Sequence, residues 1–210
     1  MIKIETHPAD SPLFGQSKWW GQPDMPEALD YPEVTMVDDG GEEYQDPLTF
    51  VCQLRCSDLA PHDPEGLLPH EGMLYFFAAL DYFFGNYDTA DSPGLGLWPE
   101  KYFRVLYSPT CNQLHTHSIV YGDGAPFGLP AEAITFSPCR EAGDGLRLLG
   151  RPWLDEVCEQ MPGMVSLLQV DEDDRWHLVF YDCGMLHFLI SPDDLARRRW
   201  DKVQCHLFSF

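Results

Sequence analysis

The chain has 210 residues, 44% of them hydrophobic, which supplies a sizeable core for one large domain and argues against disorder. Thirty-four acidic residues against 13 basic ones give a formal charge of -21, a surface that repels polyphosphates and sets nucleic acid aside as an expected partner. The longest apolar runs, GMLYFFAAL and CGMLHFLI, fall short of the roughly 20 residues needed to span a bilayer as a helix, so no membrane span is expected.

The opening MIKIETHPADSPLFG places Glu5, His7, Pro8 and Asp10 where a secretory leader needs apolar residues, and the cytoplasm is the expected compartment. The seven scattered cysteines accordingly read as reduced thiols. Residues 8–47 carry six prolines with glycines between them, a pattern for an irregular arm laid over a core. Leu13, Phe14, Trp19 and Trp20 are its expected anchors. Between Trp19 and Leu54 there is no lysine or arginine, while Asp24, Glu27, Asp30, Glu33, Asp38, Asp39, Glu42, Glu43 and Asp46 accumulate. Such a stretch faces water or meets something positive.

LTFVCQLR (48–55) is short, β-branched and aromatic, and reads as a strand. A Pro-rich connection leads to a second strand in HEGMLYFF, and YFRVLY supplies a third after a Gly/Pro loop. LPAEAITFS (129–137) is a short strand or turn, and DEVCEQM a helical segment. MVSLLQV, RWHLVFY and MLHFLI then read as a three-strand meander turned at DEDD and DCG. In SPDDLARRRW, Ser191 suits a helix cap, Pro192 the first helical position, Asp193 and Asp194 the positive end, and Arg197, Arg198 and Arg199 the other. KVQCHLFSF is the closing strand.

Two segments echo each other. A strand carrying Gln53 precedes Gly72-Met73-Leu74-Tyr75-Phe76, and one carrying Gln169 precedes Gly184-Met185-Leu186-His187-Phe188. A duplicated sheet module accounts for this without chemistry at either copy. The expected fold is α+β, with mostly antiparallel sheets, an internally duplicated sheet module and a few short helices. The expected organisation is one domain over 1–210, with pseudo-repeated modules near 48–80 and 164–190.

Several residue groups invite a chemical reading. Cys111, His115, His117 and Cys139 are the candidate metal ligands, but they lack a standard finger spacing, and neither a metal nor a cofactor is expected. Cys52 and Cys56 lack a second close pair. Cys183 with His187, or Cys205 with His206, contains the residue types of a thiol nucleophile and its base. A paired-carboxylate hydrolase is also conceivable, yet nothing in the sequence selects two acids from 34. DEDD lacks the spacing and glycine of an EF-hand loop.

The ordered series SKWWGQPDMP, LTFVCQLRCSDL, LPHEGMLYFF and LLQVDEDDRWHLVFYDCGMLHFLISPDDL resembles the YwqG-like family, domain of unknown function 1963, over residues 15–208 or so. The family's glycine-glycine-x-proline theme is altered here to Trp20-Gly21-Gln22-Pro23. The resemblance implies a sheet-rich α+β protein and brings no established reaction, cofactor or catalytic residue. A shorter likeness to the SMI1/KNR4 immunity superfamily involves Asp182, Gly184, Phe188, Ile190 and Asp194. The functional expectation is a non-catalytic protein that binds and blocks a basic partner, of the bacterial immunity or regulatory kind, with a Cys-His or paired-carboxylate hydrolase as the alternative. Asp38, Asp39, Glu42, Glu43 and Asp46, with Trp19 and Trp20, are the candidate partner-binding residues.

Overall fold

The structure is a computed structural model that describes residues 1–37, 40–87, 90–121 and 124–210. In chain order the strands are β1 (Ile2–Pro8), β2 (Lys18–Trp19), β3 (Asp24–Pro26), β4 (Glu33–Val37), β5 (Glu43–Pro47), β6 (Thr49–Arg55), β7 (Met73–Ala78), β8 (Gly96–Leu97), β9 (Phe103–Ser108), β10 (Leu114–Thr116), β11 (Glu132–Pro138), β12 (Arg147–Leu148), β13 (Val165–Asp171), β14 (Gly184–Ile190) and β15 (Gln204–Ser209). Three short helices join them: α1 (Cys56–Leu59), α2 (Asp155–Gln160) and α3 (Pro192–Ala196). Eleven strands form one sheet in the order β8-β15-β14-β13-β12-β1-β11-β2-β6-β7-β9, while β3 pairs with β10 and β4 with β5 outside it. All pairings are antiparallel. The fold is therefore α+β, with a large antiparallel sheet and few short helices. No helix among the described residues is long and apolar enough to cross a membrane.

The two echoing segments occupy matching registers. In one, Gln53 lies opposite Tyr75 and Leu54 opposite Leu74; in the other, Gln169 lies opposite His187 and Val170 opposite Leu186. Both ladders slip at the same place, between Phe50 and Cys52 and between Ser166 and Leu168. A bulge exposes one backbone group to a new partner. Here the Val51 carbonyl accepts from the Trp20 N–H at 2.9 Å and the Leu167 carbonyl from the Leu149 N–H at 3.4 Å. Trp20 and Leu149 are both left-handed, with φ of 54° and 57°. In each copy the glutamine also donates to a carbonyl two residues before the basic residue of the short neighbouring strand: Gln53 to Gln16 at 2.8 Å, and Gln169 to Gly145 at 2.7 Å.

Strands β7 and β14 are buried along their whole length because apolar residues line both of their faces. Leu74, Phe76, Leu186 and Phe188 share the main core, and the sheet curls so that the Phe76 and Phe188 rings meet edge to face at 5.3 Å. The opposite faces have different covers. Met73, Tyr75 and Phe77 lie under Met25, Val34 and Leu48 of the acidic arm, whereas Met185 and Leu189 lie under Leu154 and Val157 around α2.

Two sequence readings change. RWHLVFY is not a strand: Asp174–Trp176 form a 3₁₀ turn, His177 and Tyr181 take φ of 52° and 68°, and β13 pairs directly with β14. The reason lies in Trp176, Leu178 and Phe180, which turn into the core, and in the Glu172 carboxylate, which accepts from the Phe180 and Gly184 N–H groups and holds the connection as a loop. LPAEAITFS yields the seven-residue strand β11, held between β1 and β2 deep inside the sheet order. At the C-terminal side, Ser191 caps α3 as its sequence implies, accepting from the Asp194 N–H at 3.1 Å.

The two motif glycines serve unlike purposes: Gly184 has no left-handed backbone and is required because a Cβ would stand 2.3 Å from Phe180 Cβ, whereas Gly72 has φ of 85° and a Cβ there would stand 2.1 Å from the Ser108 carbonyl oxygen. Gly72→Ala is therefore expected to cost about 3 kcal/mol or more in urea unfolding, from left-handed strain together with a backbone clash. Gly163→Ala, equally left-handed at φ of 75° but open to space, should cost only about 1–2 kcal/mol.

Candidate functional site

The arm that carries the acids is fastened by a buried ion pair. Lys18 Nζ lies 2.7 Å from Asp24 Oδ2, and both side chains are almost fully enclosed. The same oxygen accepts from the Gly15 N–H at 2.9 Å and from Gln53 Nε2 at 3.1 Å, while Oδ1 accepts from Thr116 Oγ1 at 2.7 Å. The Asp24 N–H donates to Gln53 Oε1 and its carbonyl accepts from the Tyr75 hydroxyl. Burial would raise the Asp24 pKa, but the Lys18, Gly15 and Thr116 hydrogen bonds and the Lys18 charge outweigh it and hold the carboxyl below its ordinary value.

Outside this anchor, β3 and β10 form a small ribbon and β4 with β5 a hairpin, both resting their apolar sides on Tyr75 and Phe77. Tyr31 fixes the connection between them, donating to the Leu48 carbonyl at 2.8 Å and meeting the Phe77 ring at 5.2 Å. Glu27, Asp30 and Glu33 are thereby left facing solvent. With His115 and His117 they line a groove of about 590 Å³ that has no lysine or arginine among its described lining residues. A second depression of about 540 Å³ continues it past Glu27 and His115. Glu42 and Glu43 are exposed on the hairpin and Asp46 is half-buried at its base, while Asp38 and Asp39 lie outside the described residues.

Trp19 and Trp20 do not join this surface. Both are within 1% of complete burial, and their rings pack on Trp176, stacked at 6.0 Å and edge to face at 5.3 Å. They anchor the arm to the core, and their burial leaves no ring face for a partner.

Of the four candidate ligands, His115 and His117 share the groove, whereas neither cysteine lines it. Cys111 packs beside the cluster containing Met73 and Tyr75, and His115 is exposed on β10. Cys139 follows β11, where its thiol accepts from Arg147 Nη1 at 3.3 Å. No group of three or more His, Cys, Asp or Glu side chains is arranged to hold a metal among the described residues. Cys205 and His206 are consecutive strand residues and point to opposite faces, Cys205 into the main core. Burial pushes the Cys205 and Cys52 thiols far above their usual values and Cys56 up to about 12, which disfavours thiolate at neutral pH. Cys183 is exposed and His187 fully buried.

Sequence reading also missed a histidine pair. His187 and His206 are cross-strand partners beneath α2; Ser166 Oγ lies 3.0 Å from His187 Nδ1, and Gln160 Oε1 lies 2.9 Å from His206 Nε2. The remaining ring nitrogens have no hydrogen-bond partner among the described residues. Burial, helped by the neighbouring His206, lowers the His187 pKa to about 3, and burial lowers that of His206 as well. The signal visible in sequence was only that His187 stands where the other copy has Tyr75.

A family model, domain of unknown function (DUF1963), matches residues 17–144 and 152–207, which is most of the chain. No curated protein matches it.

Lys18→Met, which leaves the Asp24 carboxylate buried without its cation, is expected to lower stability by about 3–5 kcal/mol in urea unfolding. The histidine pair predicts a pH dependence. An unfolded histidine binds its proton near pH 6.5, the folded His187 only near 3, so the stability it contributes is complete above 6.5 and is lost as pH falls toward 3. Between pH 7 and 5 one such histidine accounts for about 2 kcal/mol, and His187→Leu should flatten the measured slope by that amount.

Proposed function

The chain belongs to the DUF1963 family, and we propose that this member is a non-catalytic binding protein that recognises and blocks a basic partner protein in the bacterial cytoplasm, in an immunity or regulatory role. The observation that carries this reading is the acidic groove of Glu27, Asp30 and Glu33 beside the exposed Glu42 and Glu43 of the β4–β5 hairpin. Here one sign of charge is gathered on ribbons whose other side is pinned to the core. Like charges held on a fixed frame focus a field toward an oppositely charged surface, which raises the rate of encounter and discriminates among partners. Blocking then follows from steric occupation of the partner's basic surface. Val37, substantially exposed on the hairpin face that also carries Glu33 and Glu43, supplies apolar area for contact once the surfaces meet.

The test is recovery of partners with the tagged full-length chain from its native cells at physiological salt. One basic protein in stoichiometric amount is expected, released by high salt and lost when Glu27, Asp30 and Glu33, or Glu42 and Glu43, are changed to lysine. Recovery that neither salt nor charge reversal alters, or no stoichiometric partner, would overturn the reading.

A further inference from the structure

The hairpin register places one acid on the wrong side for a purely structural role. Residues directly opposite one another in an antiparallel pair share a face. Asp46 lies opposite Val34, and Tyr44 opposite Met36. Val34 is 4% exposed and Met36 packs on the same apolar cluster. Asp46 is thus carried on the inward face, and it lines one cavity together with Asp81, the first residue of the 3₁₀ turn Asp81–Phe84 that follows β7.

That cavity has a volume of about 350 Å³, and Val120, Tyr121 and Phe127 form one wall of it. That wall is a built feature. The Tyr121 and Phe127 rings meet at 5.2 Å, and the loop bearing them is closed by hydrogen bonds from the Tyr121 N–H to the Ala125 carbonyl and from the Phe127 N–H to the Ile119 carbonyl. Gln22, within the SKWWGQPDMP segment, grips both ends of the loop: its Oε1 accepts from the Ile119 N–H at 2.8 Å and its Nε2 donates to the Phe127 carbonyl at 2.7 Å.

Nothing within the described chain neutralises the pair. Asp81 accepts from Asn86 Nδ2, the Asp46 carboxylate makes no hydrogen bond, and neither acid has an ion-pair partner among the described residues. Burial pushes both carboxyls up from their ordinary values, and Asp81 raises Asp46 further. Two half-buried carboxylates in one cavity without a cation cost stability, and such a pair in a concavity is a functional-site candidate.

We propose that this cavity is a socket for one arginine side chain of the basic partner, a proposal that rests on the partner-binding reading above. A guanidinium presents a planar fork of donors that two carboxylates can share, and its face and alkyl stem suit an aromatic and aliphatic wall. Its charge relieves the repulsion that the empty pair sustains. The socket lies at the base of the acidic hairpin, on the path a basic segment follows along it.

The experiment titrates the full chain with N-acetyl-arginine methylamide, and separately with the nearly isosteric but neutral citrulline compound, by NMR shift mapping. Binding of the arginine probe at Tyr121, Val120 and Asn86, with no matching response to citrulline, is expected. Asp46→Asn and Asp81→Asn should each weaken it by about tenfold or more, while the thermal midpoint of the free protein holds or rises, because one of two repelling charges is gone. Absence of arginine binding, equal binding of citrulline, or undiminished binding by both variants would overturn the proposal. Failure of the broader reading is distinguishable. Arginine binding without a native partner would leave the socket and remove the partner, whereas partner capture unaffected by Asp81→Asn would remove the socket and keep the partner.

Discussion

The Asp24 carboxylate, closed in with Lys18 and Gln53, is the interaction on which the first half of the molecule depends. It binds groups from the Gly15 turn, β2, β6 and β10, and the Asp24 carbonyl adds β7 through Tyr75. A Pro-rich arm cannot hold its place through its own secondary structure, since its prolines remove donors and its glycines add freedom. Here its position is set by a charge withdrawn from water and fully supplied with partners. Because the cost of stripping any one partner from such a group is high, the network tolerates little displacement. The ribbons that carry the acids inherit that rigidity.

The second copy of the strand pair shows how one frame accepts different covers. Its register, bulge and left-handed neighbour match the first, and Gln169 makes the same backbone bond as Gln53. The ionic anchor is absent: Arg147 stands where Lys18 does, but its guanidinium faces the Asp144 and Glu141 carbonyls at an exposed position. A helical segment over Met185 and Leu189 replaces the acidic ribbons. Where the first copy has a tyrosine hydroxyl bonded to the arm, the second has two neutral imidazoles beneath α2. Divergence between the copies is concentrated on the outward face, where no packing against the other copy restrains it; on the inward face Phe76 and Phe188 touch, and both remain phenylalanine.

The functional reading follows from where charge is compensated and where it is not. Asp24, buried, has every partner it can use. Glu27, Asp30, Glu33, Glu42 and Glu43 are hydrated and cost little. Asp46 and Asp81 fall between these cases, drawn partly out of water around one cavity, which is why the proposed socket is placed there. The buried thiols and the His187–His206 pair belong to the packing: their depressed imidazole and raised thiol pKa values are consequences of the same burial.

The sequence by itself determined the strands that period-2 burial and glycine punctuation mark, the capped helix α3, the repeated Gly-Met-Leu-aromatic-Phe segment and the acidic character of the arm. These are local properties, set by backbone preference and by which residues a short segment must bury. Tertiary structure alone decided that Trp19 and Trp20 pack on Trp176, that RWHLVFY is bent into a loop, that His187 meets His206, and that Asp46 and Asp81 line one cavity. Each of these depends on the strand order and curl of the sheet, which bring together residues distant in the chain. A hydrophobic run looks alike whether it pairs with a neighbour or turns inward, and an acid looks alike whether it faces water or another acid. Only the assembled fold supplies the second partner.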